Sequence, residues 1–159
     1  MADVQTWNLR AKQYAAEPAK MVGWAGHPFE SHQQFIVRLL RGLLGRDKKI
    51  LDVGCGYGRF ADITIRRKAQ WVGVDFSPEM QRLWRQQGAL GTFVLADAKQ
   101  PPAEVVRLGP YDLVLCVGAN AVMGLSVDSF CEAYGAVIRK PGHIVVVGPY
   151  HTTIKHLLG

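Results

Sequence analysis

Short apolar runs that alternate with helical segments constrain this chain more than any other feature. The runs span residues 49–53, 71–74, 92–96, 112–117 and 144–147. A glycine-rich turn and a helical stretch over 58–68 follow the first. Ser77-Pro78-Glu79 opens the next helix with a cap, a proline at the first helical position and an acid in the first turn, and Gly88 closes it. A short helical turn follows Pro101-Pro102. Ser126 caps a helix whose apolar face is Val127, Phe130, Cys131, Tyr134, Val137 and Ile138. Ahead of the first run, Phe35, Ile36, Leu39, Leu40, Leu43 and Leu44 form one helical face that stops at Gly45. Strands that alternate with helices and read as continuous apolar runs imply a parallel sheet covered on both faces. Right-handed crossovers then bring every strand end to one edge, where ligands of such sheets bind.

The chain has 159 residues, 48% hydrophobic and 20% charged, enough for one domain with a full core. Residues 1–46 are expected to form a helical lid or cap, weakly helical over 6–16 and broken by Gly23, Gly26 and Pro28, with the core in 47–159. Met1 to Tyr14 lacks the apolar stretch of a signal peptide, and no run approaches the roughly 20 apolar residues of a membrane helix. Cys55, Cys116 and Cys131 are odd in number and scattered, which argues against a disulfide framework or a metal site and for a reducing cytoplasm.

The sharpest segment is Leu51-Asp52-Val53-Gly54-Cys55-Gly56-Tyr57-Gly58. Alternating glycines between a strand and a helix permit a tight turn and let a ligand lie against bare backbone. Gly56, Gly58 and Ala61 also satisfy a looser dinucleotide fingerprint, so the glycines alone do not choose a ligand. The acids do. Asp52 stands just before the glycines, where a carboxylate disfavours a pyrophosphate and favours an ammonium or sulfonium group. Asp75 closes the second strand, at an end expected to be exposed, where it can accept both hydroxyls of a ribose under either reading. Asp97 follows the third strand, where it can accept from an adenine amine or simply cap a turn. The three together favour a nucleoside with a cationic tail.

The successive segments ILDVGCGYGRF, VGVDFSPEM, VLADAKQPP, YDLVLCVGA and VIRKPGHIVVV resemble the motifs of class I S-adenosylmethionine-dependent methyltransferases, over about residues 48–150. The likeness is greatest to those acting on small molecules. It implies a Rossmann-like, doubly wound α/β sheet with S-adenosylmethionine as cofactor and a small-molecule acceptor. It further implies that Asp52, Gly54, Cys55, Gly56 and Gly58 line the methionine moiety and that Asp75 holds the ribose, with Phe76 beside the adenine. Asp97 and Ala98 would meet the adenine edge, and Cys116 would lie near the cofactor at the fourth strand's end. The resemblance leaves the catalytic residue unassigned. Tyr150 and His151, after the fifth strand, fall at the acceptor end, and Tyr14 and Trp24 are candidates for a lid.

Two departures from the family pattern stand out. His143 replaces a glycine of the turn before the fifth strand, and no sixth and seventh strands are legible. The sheet is therefore expected to be C-terminally shortened, with residues 144–147 a bare edge open to self-association. A degenerate or truncated cofactor-binding module that needs a partner chain is the alternative this raises. An enzyme methylating RNA or protein is a second, and a nicotinamide-dependent oxidoreductase, disfavoured by Asp52, a third. The net charge of +6 comes largely from Arg46-Asp47-Lys48-Lys49, Arg66-Arg67-Lys68 and Arg139-Lys140. The topology puts all three clusters on the edge opposite the ligand, at helix ends and strand starts, which speaks against a nucleic-acid substrate.

Overall fold

The computed structural model describes residues 3–22, 29–148 and 151–158. In chain order its elements are α1 (Val4–Gln13), α2 (Pro18–Met21), α3 (Phe29–Leu43), β1 (Lys49–Val53), α4 (Ala61–Arg66), β2 (Gln70–Asp75) and α5 (Pro78–Gln86). There follow β3 (Thr92–Leu95), α6 (Ala103–Leu108), β4 (Tyr111–Val117), α7 (Ala119–Val122), α8 (Val127–Gly135), β5 (Ile138–Val147) and β6 (Thr152–Leu157). The sheet runs β3-β2-β1-β4-β5-β6, parallel except for its last strand. Strand order reverses between β1 and β4, which fixes the ligand crevice at their carboxyl ends.

Strand alternation divides the core into two layers. Leu51, Val53, Val72, Val74, Val114 and Val146 pack with Val105 of α6 and with Phe130 and Tyr134 of α8. On the other face Ile50, Trp71, Leu113, Leu115, Val145 and Val147 pack with Ile36 and Leu40 of α3 and Ala61 of α4. The α3 helix thus belongs to the core of the sheet, and α1 and α2 are the helices that stand outside it. They rest on α5 through Ala11, Met21, Met80 and Leu83, with Trp7 and Tyr14 at the margin. Ser77 fastens this layer: it caps α5 by accepting from the Met80 N–H at 3.2 Å, and its hydroxyl donates to Asn8 Oδ1 at 2.6 Å.

The basic clusters lie at the amino edge of the sheet. Asp112, at the start of β4, accepts from the Lys49 backbone N–H at 2.8 Å and pairs with Lys48 at 3.2 Å and Arg139 at 3.8 Å. Arg67 donates to the carbonyls of Arg41 and Leu44, where α3 ends.

The expected bare edge is corrected. Thr152–Leu157 forms β6, which pairs antiparallel with β5 from Val147↔Thr152 to Gly142↔Leu157. Both sides of β5 are therefore bonded, and self-association through it loses its premise. Six residues are an ordinary strand length, and a β-branched Thr-Thr-Ile run just past the Gly-Pro of residues 148–149 is a hairpin signal. The strand β5 also begins earlier than expected, at Ile138, because an irregular register between Tyr111 and Leu113 absorbs Pro141-Gly142 within it.

Across this hairpin His143 Nε2 and His156 Nδ1 lie 3.0 Å apart, a contact that needs at least one neutral ring. Burial, His156 and Lys48 hold His143 below the usual histidine value of 6.5. The unfolded chain then takes up a proton at a higher pH than the folded one, so stability falls as pH drops below about 6.5. The stability advantage of wild type over His143→Gln is expected to shrink between pH 8 and pH 5 in thermal melts. An advantage constant over that range would contradict this role for the pair.

Candidate functional site

The first three parallel strands and β4 deliver their carboxyl ends to one cavity of about 390 Å³. Gly54, Cys55 and Gly56 after β1, Asp75 at the end of β2 with Phe76 after it, and Asp97 and Ala98 after β3 line it. So do Met80 of α5, Val117, Gly118 and α7 residues Ala119 and Val122. From outside the sheet, Asp3, Trp7 and Val22 complete the wall. The charged groups among its described residues are Asp3, Arg59, Asp75, Asp97 and Lys99.

The glycine turn is built for close approach. Gly54, Gly56 and Gly58 all have positive φ, at 67°, 56° and 78°. A Cβ on Gly56 would meet nothing nearer than Met80 Sδ at 3.9 Å, so the space above it is open. Gly54 and Gly58 differ: a Cβ there would fall 2.1 Å from Ala119 Cβ and 2.6 Å from Trp84 Cδ1. Those two glycines serve packing.

Asp75 is 7% exposed, which corrects the expectation of an exposed strand end. Burial raises its pKa, and backbone N–H donors oppose that shift. Its Oδ1 accepts from Ser77 N and its Oδ2 from Gly56 N, each at 2.9 Å, so one carboxylate ties the β2 turn to the glycine turn. Each oxygen keeps a lone pair for a ligand hydroxyl. Asp97 is exposed and accepts from the Lys99 N–H at 3.0 Å. It therefore shapes its turn while facing the cavity.

Three residues expected at the ligand do not reach the cavity wall. Cys116 is fully buried within the core beside α8, because its place in β4 turns its side chain into that layer; burial pushes its thiol up to about 12. Gly58 lies beneath Trp84 and Trp71. Asp52, 2% exposed, alternates onto the α3 face of β1 and accepts from Trp71 Nε1 at 3.4 Å. Burial raises its pKa from 3.8 to about 7, against the pull of Arg59. The folded chain then binds more protons than the unfolded one between about pH 4 and pH 7, so Asp52 costs stability increasingly as pH rises through that window. Asp52→Asn is expected to raise the melting temperature more at pH 8 than at pH 5. An equal change at both would show that the carboxylate is not buried in its charged form.

Tyr14 packs under Lys20 and stays off the cavity wall. His151 is exposed and likewise off it. Trp24 and Tyr150 lie outside the described residues. Trp71 and Trp84 stack at 6.2 Å and serve the core. The contributions of Asp3, Trp7 and Val22 were not legible in the sequence, since nothing local in a polar helix marks which turn will face a distant strand end. None of the helices among the described residues is long and apolar enough to cross a membrane.

Comparison with known proteins bears on this geometry. The family model described as a methyltransferase domain matches residues 50–142, more than half of the chain. A ubiquinone biosynthesis O-methyltransferase of Vibrio parahaemolyticus is 30% identical over 130 residues, covering 78% of this chain and 52% of that protein. One of the same name from Pectobacterium atrosepticum is 31% identical over 113 residues, covering 69% and 45%. The chain thus spans about half the length of these relatives. Among solved structures, a TehB-like SAM-dependent methyltransferase of Corynebacterium glutamicum superposes with a TM-score of 0.63 at 20% identity, covering 87% of this chain and 72% of that one. A SAM-dependent methyltransferase of Thiobacillus denitrificans, in complex with S-adenosyl-L-homocysteine, gives 0.56 at 20% identity, covering 71% and 46%. These structures share the mostly parallel sheet. Because the family model matches more than half of the chain, the chain belongs to the methyltransferase-domain family.

Proposed function

We propose that this chain binds S-adenosylmethionine in the 390 Å³ cavity and transfers its methyl group to a small-molecule acceptor. The observation that carries the reading is the convergence of Gly56, Asp75, Phe76, Asp97 and Ala98 from three successive strand ends on one cavity. Open space above Gly56 leaves room for a ligand against bare backbone, and Asp75 retains acceptor capacity for ribose hydroxyls. Phe76, Met80 and Ala98 give apolar surface for a flat base.

When bound, the cofactor supplies a methyl group already activated on a sulfonium. The chain's task is then to hold the acceptor in line and keep water out, more than to move protons. Val117, Val122 and Met123 supply apolar wall at the end of β4, and Trp7 and Val22 add apolar wall from the N-terminal segment. No residue is assigned as a base. Of the amino-edge cations, Lys48 and Arg139 are paired with Asp112 and Arg67 with helix-end carbonyls, on the edge away from the cavity, which speaks against a nucleic-acid acceptor. The relatives are named as O-methyltransferases, so small phenolic hydroxyl compounds are the first acceptors to try.

Incubation with S-adenosylmethionine and a panel of such phenols is expected to yield S-adenosylhomocysteine and methylated product in equal amounts by mass spectrometry. Gly56→Val, which fills the open space, should yield neither. Cofactor binding without product across the panel would favour the non-catalytic module instead.

A further inference from the structure

Arg59 ends the glycine turn and forms part of the wall of the 390 Å³ cavity and of a second cavity of about 370 Å³. Its guanidinium lies against Phe60, 4.6 Å from the ring centre, and Phe29 of α3, at 5.6 Å. Gln33, also on α3, accepts from Nη1 at 3.3 Å. Two aromatic faces and one amide therefore fix the plane of the group.

Among the described residues the bond to Gln33 is the one hydrogen bond made by its five N–H donors. Among the described residues Arg59 makes no ion pair within 4 Å. Asp52 attracts it but is held by Trp71, and with a pKa of about 7 it is only partly charged near neutrality. Asp62, beside Arg59 on the second cavity, is paired with Arg66 at 2.7 Å. Burial lowers the pKa of Arg59, yet a guanidinium does not give up its proton in a protein. A half-buried guanidinium held in one plane on a cavity wall presents a preordered fork to an anion in the cavity.

We infer that Arg59 is the anion-recognition residue of this cavity and that it takes a carboxylate, both oxygens on one edge of the guanidinium. A planar monoanion matches that fork. A phosphate, with more charge, would be opposed by Asp3, Asp75 and Asp97 in the same wall. Which molecule brings the carboxylate rests on the cofactor reading above: the amino-acid tail of the cofactor is one source, an acidic acceptor the other.

Calorimetry on wild type, Arg59→Met and Arg59→Lys separates them. The probes are S-adenosylhomocysteine, 5′-methylthioadenosine, which lacks the carboxylate, and benzoate added to chain saturated with S-adenosylhomocysteine. Arg59→Met is expected to weaken S-adenosylhomocysteine roughly 10- to 100-fold, the scale of charged hydrogen bonds, while 5′-methylthioadenosine stays within about threefold. Arg59→Lys keeps the charge without the fork and should fall between; it carries the test if the methionine variant does not fold. Unchanged S-adenosylhomocysteine affinity with loss of benzoate binding would keep the carboxylate role and assign it to the acceptor. Variants that fold and bind all three probes as wild type does would overturn the proposal. Wild type that binds neither nucleoside would sink the cofactor reading; benzoate titrated into the free chain then decides the role of Arg59, and equal benzoate binding by wild type and Arg59→Met, or none by wild type, would overturn it.

Discussion

Gly54→Ala is expected to lower the melting temperature by roughly 5–15 °C, the largest effect of any single methyl group in the turn. Two costs add. A φ of 67° is left-handed, which takes about 1–2 kcal/mol from a residue with a side chain. The new Cβ would also fall 2.1 Å from that of Ala119, and such overpacking costs typically about 1–3 kcal/mol. The strain falls between the end of β1 and the start of α7, so it also distorts two parts of the cavity wall. Gly56→Ala is the matched control: its φ is 56°, but its Cβ enters open space. It should melt only a few degrees below wild type and fail in ligand binding. Equal melting temperatures for the two variants would show that Gly54 and Ala119 are not packed as described.

Asp75→Ala is expected to weaken S-adenosylhomocysteine by about two orders of magnitude, near the upper end of what charged hydrogen bonds contribute. The loss has two parts. The acceptor for the ribose disappears, and the N–H groups of Gly56 and Ser77, each bonded to it at 2.9 Å, lose their partner. Each stranded donor costs about 1–3 kcal/mol, partly offset because a buried carboxylate is removed. The variant should fold with a lower melting temperature and a looser glycine turn. Asp75→Asn, which retains one acceptor oxygen, should be intermediate in both. A folded alanine variant with wild-type affinity would remove Asp75 from the ligand.

The alternation of β1 to β4 with their helices was legible because apolar runs bounded by turns carry their own periodicity. The carboxyl-edge residues could be read for the same reason: a strand end is a local feature, and topology carries Gly56, Asp75 and Asp97 to one place. Which way a side chain faces was harder. Asp52 and Cys116 stand near strand ends, but the alternation of β1 and β4 turns them into the core. Asp75 seemed exposed because strand ends commonly are; its burial depends on two turns folding over it. The strand β6 was missed because six residues at the end of the chain were read as a tail, although Thr152, Thr153 and Ile154 are strand formers. The contacts of α1 depend on α5, and no local pattern announces a contact such as Asn8 with Ser77.

Titration of the purified chain with S-adenosylhomocysteine and, separately, with NAD tests the central claim most directly. S-adenosylhomocysteine is expected to bind at one site with an affinity that Gly56→Val abolishes, and NAD is expected to give no heat of binding. Saturable binding of NAD with no response to S-adenosylhomocysteine would contradict it.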